Sequence, residues 1–572
     1  MTDKTHAYPA RRALLLMALM LSMLGLIWRA VDLQIVRKDF LQGQGDARYL
    51  RVVPVPAHRG MITDRNGEPL AISTPIDSVW ANPQEFDATV EQKRKLSQSL
   101  GLEQDSLKKL LAERKDKEFV YLKRQINPNL AESVMSLGIQ GVSLQREYHR
   151  YYPSGEVAAH LLGFTNVDDV GQEGLELAYD NWLHGASGLK RVIKDRLGRI
   201  VENVESIQEP RPGKDLAISI DRRIQYLAYR ELKAAVQRHN ARSGTAVMLD
   251  IHTGEVLAMV NQPAYNPNNR KDIQGVLYRN RAVTDVFEPG STIKPFVMAV
   301  ALESGKYRPD TIVDTSPGMY RVGRNIIRDV RNYGSIDLTT VVQKSSNVGA
   351  SKIALSLDPA QVWGVLSRVG FGMQSGSGFP GESNGTLPYY THWQEIDRAT
   401  ISFGYGLSVT ALQLARAYAA IAGDGYLRPT SYLRVDNQAD VDAQSQQIFS
   451  PEIVKQVRQM LEKVVSNEGT GKAAHIPGYQ VAGKTGTVKK SGVGGYLDDQ
   501  YIALFAGVAP ASRPRLAMVV VINNPQDGEY YGGLVSAPVF KNVMAGALRL
   551  LNIAPDDLPS IGTHMAYLED PS

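Results

Sequence analysis

The 572-residue chain contains three serine–lysine pairs spaced Ser-x-x-Lys: Ser106–Lys109, Ser187–Lys190 and Ser291–Lys294. On a helix this spacing stacks both side chains on one face, where an uncharged lysine amine can take the hydroxyl proton and make the serine a nucleophile. The first pair lies in an amphipathic helical pattern and the second beside a glycine-containing turn, so both read as surface residues. The third, in "FEPGSTIKPF", is set apart by its prolines. Pro295 has no N–H, which is harmless only in the first turn of a helix, and Pro289-Gly290 blocks helix upstream. A helix must begin close to Ser291, where the dipole and free N–H groups favour negative charge on a serine or an acyl oxyanion. Taken alone, the pair is also what an N-capping serine with a solvated lysine looks like. If Lys294 is the base, burial beside another cation would keep it uncharged, so a second cation is expected nearby.

Two further motifs could complete such a site. Ser345-Ser346-Asn347 is the only Ser-x-Asn and stands at the start of a helical pattern, "KSSNVGASKIAL". Lys484-Thr485-Gly486-Thr487 lies between apolar residues suited to a strand, and Lys484 would be the second cation. Lys490-Ser491-Gly492 repeats the Lys-x-Gly pattern within the polar, glycine-rich "KKSGVGGYLDD", which reads as a mobile loop. Ser345 would relay a proton, Asn347 would hold a substrate amide, and Gly486 would let an acyl donor lie against the strand. Each motif alone also reads as a helix cap or as strand and turn residues; it is the three together that point to one site.

The elements that must position these motifs are legible as patterns. "TAVMLDIHTGEVLAMV" reads as a hairpin; "YQVAGKTGTV", "YIALFAGVAP" and "RLAMVVVIN" read as strands, and "PVFKNVMAGALRLL" as a closing helix. A helix is expected from Asp221 onward. Strands at both ends with a helical middle predict an α+β domain, one antiparallel sheet with an inserted helical lobe. Upstream, "HRGMITDRNGEPLAIST" predicts a hairpin about Asn66-Gly67, residues 86–140 read as short amphipathic helices, and "LKRVIKD" and "RIVENVE" as strands. "EPRPGKD" reads as the linker between this mixed module and the sheet domain. The expected division is a tail over 1–12, an anchor over 13–36, a non-catalytic module over 37–212, a catalytic domain over 213–553 and a C-terminal tail over 554–572.

Composition removes other classes. The absence of cysteine excludes thiolate catalysis, disulfides and Cys-zinc sites, and the ten histidines show no ligand spacing, so no metal or cofactor is expected. A formal charge of +5 and the lack of a basic, aromatic-interleaved stripe give no argument for nucleic acid. "ALLLMALMLSMLGLIW" (13–28) is apolar apart from Ser22 and Gly25, and the helix can continue through "AVDLQIV" while Arg29 snorkels. Lys4, Arg11 and Arg12 precede it, which predicts a single uncleaved span with a cytoplasmic N-terminus. No small-x-small cleavage site follows.

Ser291-x-x-Lys294, Ser345-x-Asn347 and Lys484-Thr485-Gly486 together resemble the active-site triplet of penicillin-binding proteins and serine β-lactamases. "RGMITDRNGEPLA", "RYYPSGEVAAHLLGF", "GQEGLE", "GEVLAMVNQPAYNPN", "GYGLSVTALQLARAYAAIAGDG" and "GGLVSAPVF" extend the resemblance over the whole chain, to class B penicillin-binding proteins, and "GFPGESNGTLP" points to their division-type branch. The resemblance implies a bacterial inner-membrane enzyme facing the periplasm, a D,D-transpeptidase cross-linking peptidoglycan at the septum. Ser291 would attack the penultimate D-Ala carbonyl, Lys294 would be the base, Ser345 and Lys484 would pass the proton on, and Asn347 would orient the donor. The N–H groups of Ser291 and Thr487 would form the oxyanion hole, Thr485 and Thr487 would hold the substrate carboxylate, and Tyr530 and Tyr531 would wall the site. β-Lactams would acylate Ser291. A glycosyltransferase of the SEDS class and other division proteins would be its partners. A D,D-carboxypeptidase, a serine β-lactamase, and an inactive membrane-anchored scaffold or β-lactam sensor are the competing readings.

Overall fold

Long apolar or alternating stretches become the elements that carry the site. The structure, a computed structural model, describes residues 9–41, 50–194, 200–270, 275–492 and 495–558. Residues 1–8 of the expected N-terminal tail and 559–572 of the expected C-terminal tail lie outside the described residues. Helix α1 (Pro9–Val31) runs on through a π turn, Asp32–Val36, and the 28-residue span is long and apolar enough to cross a membrane.

The chain forms two compact units, and neither is continuous in sequence. One comprises the chain up to His58 with Thr74–His149 and Gly185–Gly213. It holds a three-stranded antiparallel sheet (Leu50–Val55, Gly188–Lys194, Ile200–Gln208). Its core gathers Val79, Leu96, Leu100, Leu122 and Val134. The expected helices form at Val90–Leu100, Gln104–Glu113 and Pro128–Met135. The first starts at a Thr89/Gln92 capping box, and the last at Asn127 with Pro128 just inside, as helix starts require. A strand, Val120–Ile126, interrupts this stretch where only helices were expected; its alternation is short and half-buried against Pro69–Ala81.

The second unit comprises Arg59–Ser73, Arg150–His184 and the chain from Lys214 on. It carries, in chain order, α2 (Arg222–Arg238), β1 (Ser243–Asp250), β2 (Val256–Gln262), α3 (Lys294–Glu303), α4 (Leu338–Lys344), α5 (Asn347–Ser356), α6 (Ala411–Ala419), β3 (Ala482–Gly492), β4 (Gly495–Ala509), β5 (Leu516–Asn523) and α7 (Ala537–Leu550). The sheet is antiparallel in the order β2-β1-β5-β4-β3, so the strands from both ends of the domain meet at β1–β5 and β3 is left at an edge. Met518, Val520 and Ile522 pack with α2 and α7, while Val519 and Val521 pack with α3 and α6. Burial on both faces explains why β5 reads as an unbroken apolar run.

A buried ionic cluster ties the outlying segments of this unit together. The Arg59 guanidinium donates to Glu176 and Asp180, and Arg150 to Glu176 and the Ser73 hydroxyl. Asp169 lies beside these cations, but its Oδ1 is buried without a hydrogen bond, and burial pushes its carboxyl up to about 6 against the pull of Arg59. A raised carboxyl favours folding only while protonated, so its contribution is lost as pH rises from about 4 through 6. Asp169→Asn is therefore expected to raise stability by about 1–2 kcal/mol at pH 7.5. Thermal unfolding at pH 7.5 and 4.5 checks this, because the gain disappears at the lower pH.

Candidate active site

The prolines of "FEPGSTIKPF" act as the sequence predicted. Gly290–Ile293 forms one 3-10 turn that feeds directly into α3, with Pro295 in its first turn. Gly290 has φ +55°, and a Cβ there would strike the Val488 side chain of β3, so the turn can press against the strand only with glycine. Behind the turn, the buried Tyr418 hydroxyl donates to the Thr292 carbonyl at 2.8 Å. Helix α3 is buried from Lys294 to Leu302, as expected of a helix apolar on every face. Lys294 is thus a fully buried amine directly behind a half-buried serine: Nζ is 3.0 Å from Ser291 Oγ.

Ser345 was expected at the start of a helix; it instead ends α4 in the left-handed region (φ 61°, ψ 40°), and Ser346 caps α5. This kink, uncommon for a residue with a Cβ, turns Ser345 and Asn347 back toward Lys294. Lys294 Nζ lies 2.6 Å from the Ser345 carbonyl, 3.1 Å from Ser345 Oγ and 2.8 Å from Asn347 Oδ1. The kink is pinned by Asp329, which sequence reasoning missed. Its carboxylate accepts from Ser346 Oγ (2.6 Å) and from the N–H groups of Asn347 (2.5 Å) and Val348 (3.0 Å). Asp329 follows a short hairpin in a polar stretch, and only its place at the α5 N-terminus marks it out. Asp329→Asn is expected to slow acylation about 10–100-fold by loosening the kink, and to move the acid limb of the pH–rate profile lower, since Asp329 raises the Lys294 pKa. Rapid-quench labelling across pH checks both effects.

Lys484 is on edge strand β3, paired in register with Ala506, and is fully buried; its nearest polar partner is the Thr485 carbonyl at 3.2 Å. Thr485 Oγ1 lies 2.8 Å from Thr470 Oγ1, and Thr487 Oγ1 accepts from Gly532 N–H at 3.0 Å. A Cβ on Gly486 would sit 2.9 Å from Leu504 Cδ1 and 3.2 Å from the Pro289 carbonyl. Close approach of β3 to the serine turn therefore already accounts for glycine at this position. Tyr530 stacks on Tyr501 with ring centroids 4.1 Å apart, and the exposed Tyr531 leads into Gly532. This places the aromatic pair beside Thr487. Lys490–Gly492, read from sequence as a loop, instead continues β3, because Ser491 and Gly492 pair with Tyr496 and Gly495. Ser106 and Lys109 lie on the helix Gln104–Glu113, and Lys190 on the strand Gly188–Lys194, both in the other unit.

Lys294 thus underlies the half-buried hydroxyls of Ser291 and Ser345, and Lys484 is a second buried lysine close enough for its charge to act on Lys294. Burial, and then the charge of Lys484, push the Lys294 pKa well below the ordinary lysine value, and burial pushes Lys484 down to about 7. The partners of Lys294 agree with a neutral amine. The Ser345 carbonyl and Asn347 Oδ1 can only accept, and together they use its two N–H groups. Its lone pair is then free for the Ser291 O–H. Among the described residues there is no cluster of His, Cys, Asp and Glu able to hold a metal.

Residues 244–545 match the Penicillin binding protein transpeptidase domain, and residues 54–218 the Penicillin-binding Protein dimerisation domain. The chain is 47% identical over 553 residues to peptidoglycan D,D-transpeptidase FtsI of Escherichia coli (strain K12), covering 96% of this chain and 93% of the relative. The transpeptidase domain of Burkholderia pseudomallei penicillin-binding protein 3 is 42% identical with a TM-score of 0.55, covering 60% of this chain and 98% of that one. Penicillin-binding protein 3 of Mycobacterium tuberculosis, solved in complex with aztreonam, is 28% identical with a TM-score of 0.68, covering 89% and 98%. The chain belongs to the class B penicillin-binding proteins.

Proposed function

We propose that the protein is a peptidoglycan D,D-transpeptidase acting through an acyl-enzyme on Ser291 and acylated by β-lactams at the same hydroxyl. The supporting observation is the setting of Lys294: a fully buried side chain whose Nζ donates to the Ser345 carbonyl and Asn347 Oδ1 and lies 3.0 Å from Ser291 Oγ. As Ser291 Oγ bonds to the penultimate D-Ala carbonyl carbon, its proton moves to Lys294 Nζ. The negative charge on the carbonyl oxygen is met by the Ser291 and Thr487 N–H groups. The C–N bond to terminal D-Ala then breaks, and the leaving nitrogen takes a proton through Ser345 Oγ, which is 3.1 Å from Nζ. The amino group of a second stem peptide attacks the ester, returns its proton by the same route and frees Ser291.

Thr485, Gly486 and Thr487 hold the donor along the edge of β3, the threonines on its carboxylate. Asn347 orients its amide, and Tyr530 and Tyr531 wall the groove. Resting on the charge placement of Lys4, Arg11 and Arg12, the N-terminus is cytoplasmic and the catalytic domain periplasmic. Within this reading the boundaries are 1–12, 13–36, 37–212, 213–553 and 554–572, the reaction serves septal wall synthesis, and a SEDS-class glycosyltransferase and other division proteins are the partners. Labelling the full chain with a fluorescent penicillin and mapping the adduct tests the chemistry. A stable adduct on the peptide containing Ser291 is expected. No adduct, or one at another residue, would overturn the reading, and rapid loss of label would indicate a β-lactamase.

A further inference from the structure

Three residues before the nucleophile, Glu288 makes contacts that the reaction itself does not use. Its Oε1 accepts from the Gly406 N–H at 2.8 Å and from the Tyr496 hydroxyl at 3.1 Å. Its Oε2 is buried and has no hydrogen-bond partner among the described residues. The Tyr496 ring packs edge-on against Tyr405, centroids 5.3 Å apart. One carboxylate thus joins the turn that carries Ser291, the turn at Gly406 and the outer end of hairpin β3–β4.

The hairpin needs such a tie because its ladder is interrupted. Lys489 of β3 pairs with Tyr501, but Ser491 pairs with Tyr496, so residues 497–500 of β4 stand opposite Lys490 alone. Asp499 within this bulge has φ 58°. A bulge of this kind breaks the hydrogen-bond ladder and bends the strand, so the register held by β4 and β5 over Ala482–Lys489 does not fix what lies beyond it. The Tyr496–Glu288 bond and the Tyr405 edge contact hold the outer end, while the exposed Lys489–Asp498 ion pair, 3.1 Å, spans the bulge itself. A carboxylate is the stronger acceptor for a tyrosine hydroxyl, which accounts for an acid in this position despite its partly buried, half-satisfied state.

We propose that Glu288 is a positioning residue for acylation. By anchoring Tyr496 and Gly406 it seats the outer end of hairpin β3–β4 beside the Ser291 turn, so the strand beyond Lys489 keeps its place relative to that turn and the groove is formed before a donor or β-lactam arrives. The inference rests on the acyl-enzyme reading and deepens it. A groove left unformed weakens binding before the covalent step and leaves the Ser291–Lys294 proton transfer intact.

The experiment uses the full chain. Fluorescent penicillin labelling over a range of concentrations separates half-saturation from limiting rate, and amide hydrogen exchange is followed over residues 488–505. Glu288→Ala is expected to raise half-saturation about tenfold, as loss of about one charge-assisted hydrogen bond would, with the limiting rate changed less than about threefold. Glu288→Gln, which keeps an acceptor oxygen, stays within about threefold of wild type in half-saturation. Tyr496→Phe lies between them, and adding it to Glu288→Ala costs nothing further, because the two groups make one bond. Exchange quickens at the outer hairpin in Glu288→Ala and Tyr496→Phe but not in Glu288→Gln. Multiplying effects in the double variant, unchanged exchange, or a loss confined to the limiting rate would each overturn the proposal. Tyr496 is 49% exposed and Tyr496→Phe removes one hydroxyl, so it carries the test if Glu288→Ala does not fold. Label missing from wild-type Ser291 would instead count against the acyl-enzyme reading itself.

Discussion

Ser291→Ala will take up no fluorescent penicillin at any pH, and Lys294→Met will take it up at least about 10³-fold more slowly than wild type. The first loss is of the atom that becomes acylated. The second is of the base, the only amine bonded to Ser291 Oγ among the described residues, at 3.0 Å. The two variants differ in how they respond to pH. Acylation needs Lys294 as the amine, so in wild type the rate rises with pH through its lowered pKa and falls on the acid side. Because the charge of Lys484 depresses Lys294, that limb belongs to the pair. Lys294→Met has no such limb, and its residual rate will vary little between about pH 5 and 8. Stopped-flow acylation across that range, with the adduct mapped by mass, checks both statements. A Lys294→Met profile that kept the wild-type acid limb would show that another group is the base.

Lys484→Met will silence the site and stabilise the fold. Lys484 is fully buried, and burial holds its pKa at about 7 in the folded protein against 10.5 ordinarily. The unfolded chain therefore binds more protons through this side chain than the folded one, and stability rises with pH between about 7 and 10.5. Near pH 7.5 folding must strip or bury that charge, a cost on the order of 2–4 kcal/mol. Methionine keeps the length and apolar contacts and removes the cost, and the contacts given up are long, 3.2 Å to the Thr485 carbonyl and 3.5 Å to its hydroxyl. The expected result is a midpoint several degrees higher at pH 7.5. The advantage shrinks toward pH 10, and acylation falls about 10²–10⁴-fold because Lys294 keeps its burial but loses the neighbouring charge that lowers its pKa further, and the site loses its second amine. Calorimetry at two pH values with parallel labelling checks this. A variant destabilised at both would show that Lys484 is held by compensations beyond its visible partners.

The features legible in the sequence are those that depend on near neighbours along the chain. Pro295, unable to donate, could only stand in the first turn of a helix, so the start of α3 and the Ser291–Lys294 spacing were readable. The apolar runs of β3, β4 and β5, and the anchor, were readable for the same reason, because strand and helix burial are written in the period of apolar residues. The need for a second cation beside Lys294 also followed from chemistry alone. The supports of the site were not readable. Asp329, in a polar stretch, and Glu288, beside Pro289-Gly290, are ordinary acids to the sequence, and they acquire their roles from hydrogen bonds to residues 17 and 208 positions away respectively. Ser345 was misplaced at a helix start because its left-handed kink is pinned by hydrogen bonds from the following residues to Asp329, and Lys490–Gly492 was taken for a loop because pairing with β4 overrides a polar, glycine-rich composition.

Sequence by itself determined which side chains could acylate, where their helix begins and that the chain carries an apolar span. Tertiary structure decided that Lys294 and Lys484 are both fully buried and that the charge of Lys484 bears on Lys294, that a kink delivers Ser345 and Asn347 to the same amine, and that β3 lies against the serine turn. These properties come from desolvation and contact between segments far apart in the chain, and neither exists until the chain has folded.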